Sequence, residues 1–427
     1  MESLGSVNIL HNYKKNELFC NLAILTILFF LNCFMGELSY VAFSFLFVIV
    51  MIADMANGFT YIVYTIPFCM VGGDISGYLY IALILIFMIK SYVKMLFIDK
   101  LKIQKKFIIT VVMFTIYMLL PFGGINCYNS QLFLKNVLVL SVIFFLYLVT
   151  KYPKQFRLKI NVNICAVGLL ISVIFMGTYF ISDHLQDITN LFYVDDYIRF
   201  QALLTNPNIL AIVCEICLSI LVYFFLSIKI SWVEVVSFVI FTVLGFSTLS
   251  KTFFILFAVM LTFLIVFLLR KRPFIGLCLI SLFCLLIIVI VIFKPDIFNT
   301  YFGRFVNFAS KASGENDFYT AMNFLTTGRY GLCVTYIQYM MQYPYILFFG
   351  ATLGTGQLAG NSPHNIYISS LYQFGLVGLT LYITIFVLIF KDFKKNNPLL
   401  ISKWVVVPII IMSMMLCVEE FFMFIYA

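Results

Sequence analysis

Apolar runs too long for the core of a soluble domain succeed one another along almost the whole chain, beginning at 18–35 and ending at 402–422. A helix needs about 20 apolar residues to cross roughly 30 Å of hydrocarbon; a barrel strand needs about 10, with strict alternation. These runs do not alternate. They predict helices at 18–35, 38–52, 58–72, 78–98, 107–121, 132–150, 160–182, 207–228, 232–249, 253–269, 274–293, 365–390 and 402–422. The expected fold class is all-α: a polytopic membrane helix bundle of about 11–14 spans, because a lipid-exposed backbone must satisfy its own N–H and C=O groups. The second and third runs flank Asp54 and Asn57 and are short enough to be one broken or re-entrant element.

Composition excludes the other classes. Of 427 residues, 63% are hydrophobic and 11% charged, and mean hydropathy is +1.07, against about 25% charged in soluble domains. A soluble enzyme, a disordered scaffold and a collagen-like repeat are ruled out, and no nucleic acid is expected as a partner. The lipid bilayer is the first partner. The net charge of +9 therefore reports topology before it reports ligands.

Cations fall on alternate connections: Lys14 and Lys15; Lys100, Lys102, Lys105 and Lys106; Lys151, Lys154, Arg157 and Lys159; Arg270, Lys271 and Arg272; Lys391, Lys394, Lys395 and Lys403. By the positive-inside rule these connections are cytoplasmic. Lys90 and Lys94, one turn apart at the cytoplasmic end of their span, are expected to snorkel to the headgroups. Met1 to Glu17 is polar and the first apolar run is long enough to remain as a span, so the amino terminus is expected inside, without a cleavable signal.

The chain then divides into membrane helices over 1–182, further helices with an external charged segment over 183–293, a large external loop over 294–364, and membrane helices over 365–427. The external connections hold Asp183, His184, Asp187, Asp195, Asp196 and Arg199, then Asp296, Arg304, Lys311, Glu315, Asp317, Arg329 and His364. Cations on the side that disfavours them ask for a reason. From Arg329 to Phe349 the loop is amphipathic and rich in tyrosine, interrupted by Pro344, and suited to lying along the membrane surface. It reads first as an aromatic interface belt and, more sharply, as a platform for stacking on sugar rings, and the two are compatible.

Most of the eleven cysteines fall in apolar spans, where a thiol acts as a small hydrophobe. Cys214 and Cys217 form a CxxC within one such span, with no further cysteine or histidine partner. No Gly-rich phosphate loop, HExxH or DxD sequence occurs, so neither metal nor cofactor is expected.

Two external helix starts carry chemistry. In Thr205-Asn206-Pro207-Asn208 an Asn before Pro predicts a cap and a helix from about 207, with Arg199 just upstream. In Asn361-Ser362-Pro363-His364-Asn365 the grammar repeats, predicting Ser362 as cap, Pro363 in first position and His364 in the first turn. Helix amino termini and arginine both favour phosphate. Capping alone accounts for the prolines, but not for Arg199 or His364. Gly375 and Gly378 follow below His364 on one expected face, small enough for close helix approach. A histidine at a helix amino terminus is held toward the neutral form that a general base requires.

His364-Asn365, nine residues, then Gly375-Leu376-Val377-Gly378 resembles the histidine motif of the O-antigen ligase and polymerase superfamily, which includes bacterial O-oligosaccharyltransferases. Arg199 with Asn206-Pro207-Asn208 looks like that family's Arg and NPN segment. Gly328-Arg329, Tyr343-Pro344 and Gly350 to Gly356 look like the approach to its catalytic loop. The resemblance runs from about Arg199 to Lys391, and departs at Ser250-Lys251, where many members show Ser-Arg.

It implies a GT-C-like, metal-independent glycosyltransferase on the external face of the bacterial cytoplasmic membrane, whose donor is an undecaprenyl-diphosphate-linked oligosaccharide. Arg199, Lys251, Arg304 and Arg329 would neutralise the leaving diphosphate; Asn206, Asn208 and Asn365 would contact substrate. His364 would take the acceptor's proton; alternatively it binds phosphate and Asp195, Asp196, Glu315 or Asp317 is the base. The expected activity is repeat-unit polymerisation, with a ligase or O-oligosaccharyltransferase as the alternative and a lipid-linked oligosaccharide flippase as the reading from another class. A polymerase further implies a flippase and a chain-length regulator as partners.

Overall fold

The computed structural model describes residues 2–34, 39–68, 74–100, 102–119, most of 141–152, 156–181, 192–194, 198–200, 207–227, 231–271, 317–325, 328–351 and 365–396, with single positions such as Leu358 and Pro363 between them. The predicted spans at 274–293 and 402–422, and the first part of 132–150, lie outside these residues apart from isolated positions.

The elements are α1 (Glu2–Phe34), α2 (Ser39–Ile52), α3 (Met55–Thr65), α4 (Asp74–Tyr92, continued by a wider turn over Val93–Ile98), α5 (Lys105–Leu119), α6 (Leu158–Ile181), β1 (Phe192–Val194), β2 (Ile198–Phe200), α7 (Pro207–Ser227), α8 (Trp232–Ser247), α9 (Lys251–Lys271), α10 (Phe318–Leu325), α11 (Arg329–Gln342), α12 (Pro344–Phe349) and α13 (Ile366–Asn396). Apart from 132–150, each predicted span within the described residues coincides with one of these helices. The all-α expectation is corrected only by the antiparallel hairpin of β1 and β2, in which Tyr193 faces Arg199.

Segments within α4 with its continuation, α9 and α13 are long and apolar enough to cross a membrane: Leu79–Ile98, Lys251–Arg270 and Tyr367–Ile389. α8 adds a physical argument. Its buried face holds Glu234, Ser237, Phe241 and Gly245, while Val233, Val236, Val239 and Val243 form an exposed stripe at helical spacing. Polar inside and aliphatic outside reverses the pattern of a helix in water. Lipid is the surrounding that makes it favourable.

The chain forms two compact units: residues 1–102 with 141–253, and residues 103–140 with 254–423. In the first unit α3 and α6 run parallel. Arg157 donates to Asn57 Oδ1 at 3.1 Å, Thr60 donates to Asn161 Oδ1 at 2.6 Å, and Gly168 lies so close to α3 that a Cβ there would stand 2.6 Å from the Tyr64 carbonyl oxygen. α4 runs antiparallel to α3, with the Tyr80 hydroxyl donating to Ile62 O at 2.8 Å and Phe87 stacking on Phe59 further along. Lys90 and Arg157 thus share one end of the unit. Lys159 joins them there, paired at 3.0 Å with Glu234 at the start of α8, where Glu234 also completes a capping box with Ser231. These cations were assigned to one side from sequence, and the packing gathers them at one end.

The broken second element is also found. α2 stops at Ile52 and α3 restarts at Met55, with Asp54 as its cap, accepting from Asn57 N at 2.8 Å. Lys90 explains how the break is tolerated. Its Nζ donates to the carbonyl oxygens of Val50, Met51 and Ala53 at 2.7, 2.7 and 2.6 Å, so three acceptors orphaned at the end of α2 share one ammonium. The snorkelling expected of Lys90 is corrected: the side chain reaches a helix end, which offers better-placed acceptors than a headgroup. Lys90→Met is therefore expected to cost about 1–3 kcal/mol, toward the lower figure because the group is partly solvated, and Lys90→Arg to retain part of it. Thermal unfolding of the purified variants measures this; an unchanged midpoint for Lys90→Met would refute the capping role.

In the second unit α5 and α13 run antiparallel. Gln104 donates to Asp392 at one end, the rings of Phe114 and Tyr382 meet at 5.9 Å in the middle, and the Tyr117 hydroxyl donates to Phe374 O at 2.8 Å toward the other end. Lys391 thus lies at the same end as Lys105. α13 is interrupted at Gly375, whose φ of 64° and ψ of −175° are not helical. The continuous glycine face expected below His364 is corrected to a break. Around it Ala351 N donates to Tyr372 O at 2.7 Å, and Tyr117 also donates to Phe349 O at 3.0 Å.

Candidate functional site

Arg329 opens α11 directly after Gly328, which adopts φ +85° and so lets the chain turn into the helix. The start is fastened from below by α10: Asn323 Oδ1 accepts from Gly331 N at 2.9 Å, and Asn323 O accepts from Gly328 N at 2.8 Å. The Arg329 side chain is half-buried. A cation in the first turn opposes the helix dipole, a cost that a bound anion offsets.

One turn further, the Cys333 thiol donates to Pro363 O at 3.4 Å. After another turn the Tyr336 hydroxyl accepts from Leu358 N at 2.7 Å. Tyr336 is buried edge-on against Tyr372 of α13, with ring centroids 4.9 Å apart, within a cluster that includes Met340, Ile346 and Ala351. The helix headed by Arg329 is thereby joined to the chain on either side of the predicted histidine motif. Burial raises the Cys333 thiol above its usual range, and nearby Arg329 partly offsets this. Cys333 therefore acts as a neutral hydrogen-bond donor here.

The start of α13 differs from the sequence expectation. The helix begins at Ile366, and Asn365 is its cap: Oδ1 accepts from Tyr367 N at 3.0 Å and Ile368 N at 3.2 Å, while its carbonyl accepts from Ser369 N at 2.8 Å. Pro363 in first position is corrected accordingly; Ser362 and His364 lie outside the described residues. Asn365 outcompetes the Ser-Pro signal because its side chain reaches two amides at once. Those amides are then occupied, so this helix end offers an anion fewer donors than a bare one, and Asn365 itself has Nδ2 left for a ligand.

In the first unit Arg199 lies on β2, Asn208 follows Pro207 at the start of α7 as expected, and Lys251 is the first residue of α9. Lys251 follows a tight turn in which Leu249 adopts φ +50° and Ser250 N donates to Thr248 Oγ1 at 3.2 Å. Arg329 and Asn365 belong to the second unit. His364, Asn206 and Arg304 lie outside the described residues, as do the alternative bases Asp195, Asp196 and Glu315. Asp317, the remaining alternative, caps α10: its carboxylate accepts from Thr320 N at 3.1 Å, which holds it below the usual carboxylate range. That makes it a weaker base.

Three residues escaped the sequence reading. Cys333 and Tyr117 act through partners distant in the chain, and Glu215 carries no motif. Cys214 and Cys217 are buried free thiols, as is Cys165 of α6. Among the described residues no group of three or more His, Cys, Asp or Glu is placed to hold a metal ion. Comparison with protein-family models, curated proteins and solved structures finds no match.

Proposed function

We propose that the protein is a membrane-embedded glycosyltransferase that polymerises undecaprenyl-diphosphate-linked repeat units, as its resemblance to the O-antigen ligase and polymerase superfamily implies. The observation that carries the reading is the hydrogen bond from Cys333 to Pro363, because it ties the first turns of the Arg329 helix to the residue before His364. A phosphate-binding cation and a proton acceptor are the two groups that the reaction needs. The acceptor sugar's hydroxyl oxygen bonds to C1 of the donor as the C1–O bond to diphosphate breaks. Its proton passes to His364, and the growing negative charge on the departing diphosphate is met by Arg329. Charge that develops during bond cleavage is stabilised more in the transition state than in the bound donor, which is how such a contact accelerates the step.

Purified protein supplied with lipid-linked repeat units alone tests this. A ladder of lengthening lipid-linked glycans is expected. Product that forms only when a distinct lipid or protein acceptor is added would replace polymerase by ligase or O-oligosaccharyltransferase, and no bond formation with either would remove the reading. A flippase remains the second reading, favoured by one observation: Glu215 is an acidic group inside an apolar helix, a feature expected of ion-coupled transport. Movement of labelled lipid across liposomes without glycosidic bond formation would decide for it.

The topology has its own test. Reporters fused after Lys106, Arg157 and Lys395 are expected to behave as cytoplasmic, and those in 183–206 and 310–360 as external. A cytoplasmic signal from residue 315 would put Arg329 and His364 in the wrong compartment for a lipid-linked donor displayed outside.

A further inference from the structure

Glu215 lies in the interior of α7, only 2% exposed, and neither of its carboxylate oxygens has a hydrogen-bond partner among the described residues. Its surroundings on α7 are Ala211, Ile212, Cys214 and Leu218, all buried. Among the described residues, α6 and α8, which pack against α7, bring no unpaired cation to it. α6 contributes the buried thiol of Cys165, and its Lys159 is paired with Glu234 of α8. A buried carboxylate must be paired, hydrogen-bonded or neutralised, and here none of the described side chains does so. Two acceptor oxygens without a donor are an incomplete arrangement, completed by something small that comes from solution.

Glu215 also continues a polar line on its helix. Asn208 is seven positions before it and Ser219 four positions after it, spacings that keep all three on one face of α7. Ser219 is buried as well. The line leads inward from the end of α7 that opens with the Asn-Pro-Asn sequence.

We infer that Glu215 is an intramembrane site for a small monovalent cation, a proton or Na⁺, bound reversibly by its carboxyl group. The site does not depend on the proposed glycosyl transfer and would exist equally in a transporter. A proton needs only one carboxylate oxygen. Na⁺ needs further oxygens, which the Ser219 hydroxyl and water along the polar line would supply.

A hydrophobic carbodiimide tests this on the full-length protein in lipid nanodiscs, because dicyclohexylcarbodiimide adds to a protonated carboxyl in apolar surroundings and rearranges to a stable N-acylurea. Mass spectrometry is expected to find the adduct on Glu215 and not on exposed Asp317, and to lose it in Glu215→Gln. With a reversibly bound proton, labelling declines about tenfold per pH unit once the pH exceeds the site's own pKa. If Na⁺ binds, Na⁺ but not choline protects Glu215 at constant pH; if only a proton binds, neither does. Both outcomes support the site and distinguish its occupant. Absence of the adduct at every pH in protein that elutes as a single folded species, or labelling that responds to neither pH nor Na⁺, would overturn it. Glu215→Leu gives a second check: the fold should survive loss of a group that has no internal partner, and collapse of the protein would mean that the carboxyl is structural.

Discussion

His364→Ala protein is expected to bind the lipid diphosphate donor nearly as well as the parent and to transfer no sugar. A general base acts on the acceptor's proton, so its loss lowers turnover while leaving the donor's ground-state contacts in place. Arg329→Ala should differ in kind: donor affinity falls and turnover drops about 10²-fold or more, since one preorganised charged contact to a leaving group is typically of that size. Arg329→Lys should recover part of the activity, because lysine keeps the charge but not the planar fork that grips phosphate at two points. Arg199→Ala and Arg199→Lys should follow the same pattern if Arg199 shares the task. If His364 binds phosphate instead, His364→Ala weakens donor binding and His364→Lys partly restores it. Donor affinity and turnover, measured on membranes with matched protein levels, separate the two roles. Parent-like turnover in His364→Ala would dispose of both.

The helices were legible because burial in lipid leaves its mark on every residue of a span: apolar runs give α2, α5, α7 and α8 their limits to within a few residues. The positive-inside rule needs no contacts to assign cations to one side, and Lys90, Arg157 and Lys159, which it puts together, share one end of their unit. What sequence could not supply was the partner of each polar group. Lys90 lies about 40 positions from the carbonyls that it caps, and Cys333 lies 30 from Pro363. No local pattern records such pairings, and a lysine near a span end defaults to the headgroups. At the start of α13 the signals competed locally. Ser362-Pro363 and Asn365 are both good cap signals, and the decision fell to side-chain reach, which Asn365 wins by holding two amides. Glu215 was legible as a letter but not as a problem, because only packing shows that its oxygens have no partner among the described residues.

The interruption of α13 yields the largest expected effect on folding. Gly375 combines φ +64° with a ψ of −175°, a region open in practice to glycine alone. A Cβ placed there would stand 2.3 Å from Phe348 O and 2.5 Å from Gly350 N, and both are backbone atoms that cannot rotate away. Gly350 faces the same contact from the other side: its φ is +85° and its Cβ would meet Gln373 O at 2.2 Å. The end of α12 and the break in α13 therefore fit only as two glycines, with Ala351 N and the Tyr117 hydroxyl satisfying the carbonyls that the break releases. Gly375→Ala and Gly350→Ala are each expected to cost more than about 3 kcal/mol, from backbone strain of about 1–3 kcal/mol together with displacement of packed main chain. Gly378→Ala should also destabilise, because its Cβ would stand 2.4 Å from Phe374 Cβ, which is fixed to the main chain, and 2.7 Å from the Tyr117 ring, but its backbone is helical and adds no strain of its own. Gly303→Ala, whose Cβ would meet no described atom within 4 Å, should leave the unfolding midpoint within experimental scatter. Tyr117→Phe removes only the hydroxyl that bridges Phe349 O and Phe374 O, and should cost about 1–3 kcal/mol for acceptors left without a donor. Thermal unfolding in detergent, read alongside the amount of protein inserted in the membrane, gives the ranking. If Gly375→Ala melts with the parent, α13 is continuous, and the joint between α12 and α13 does not exist in the folded protein.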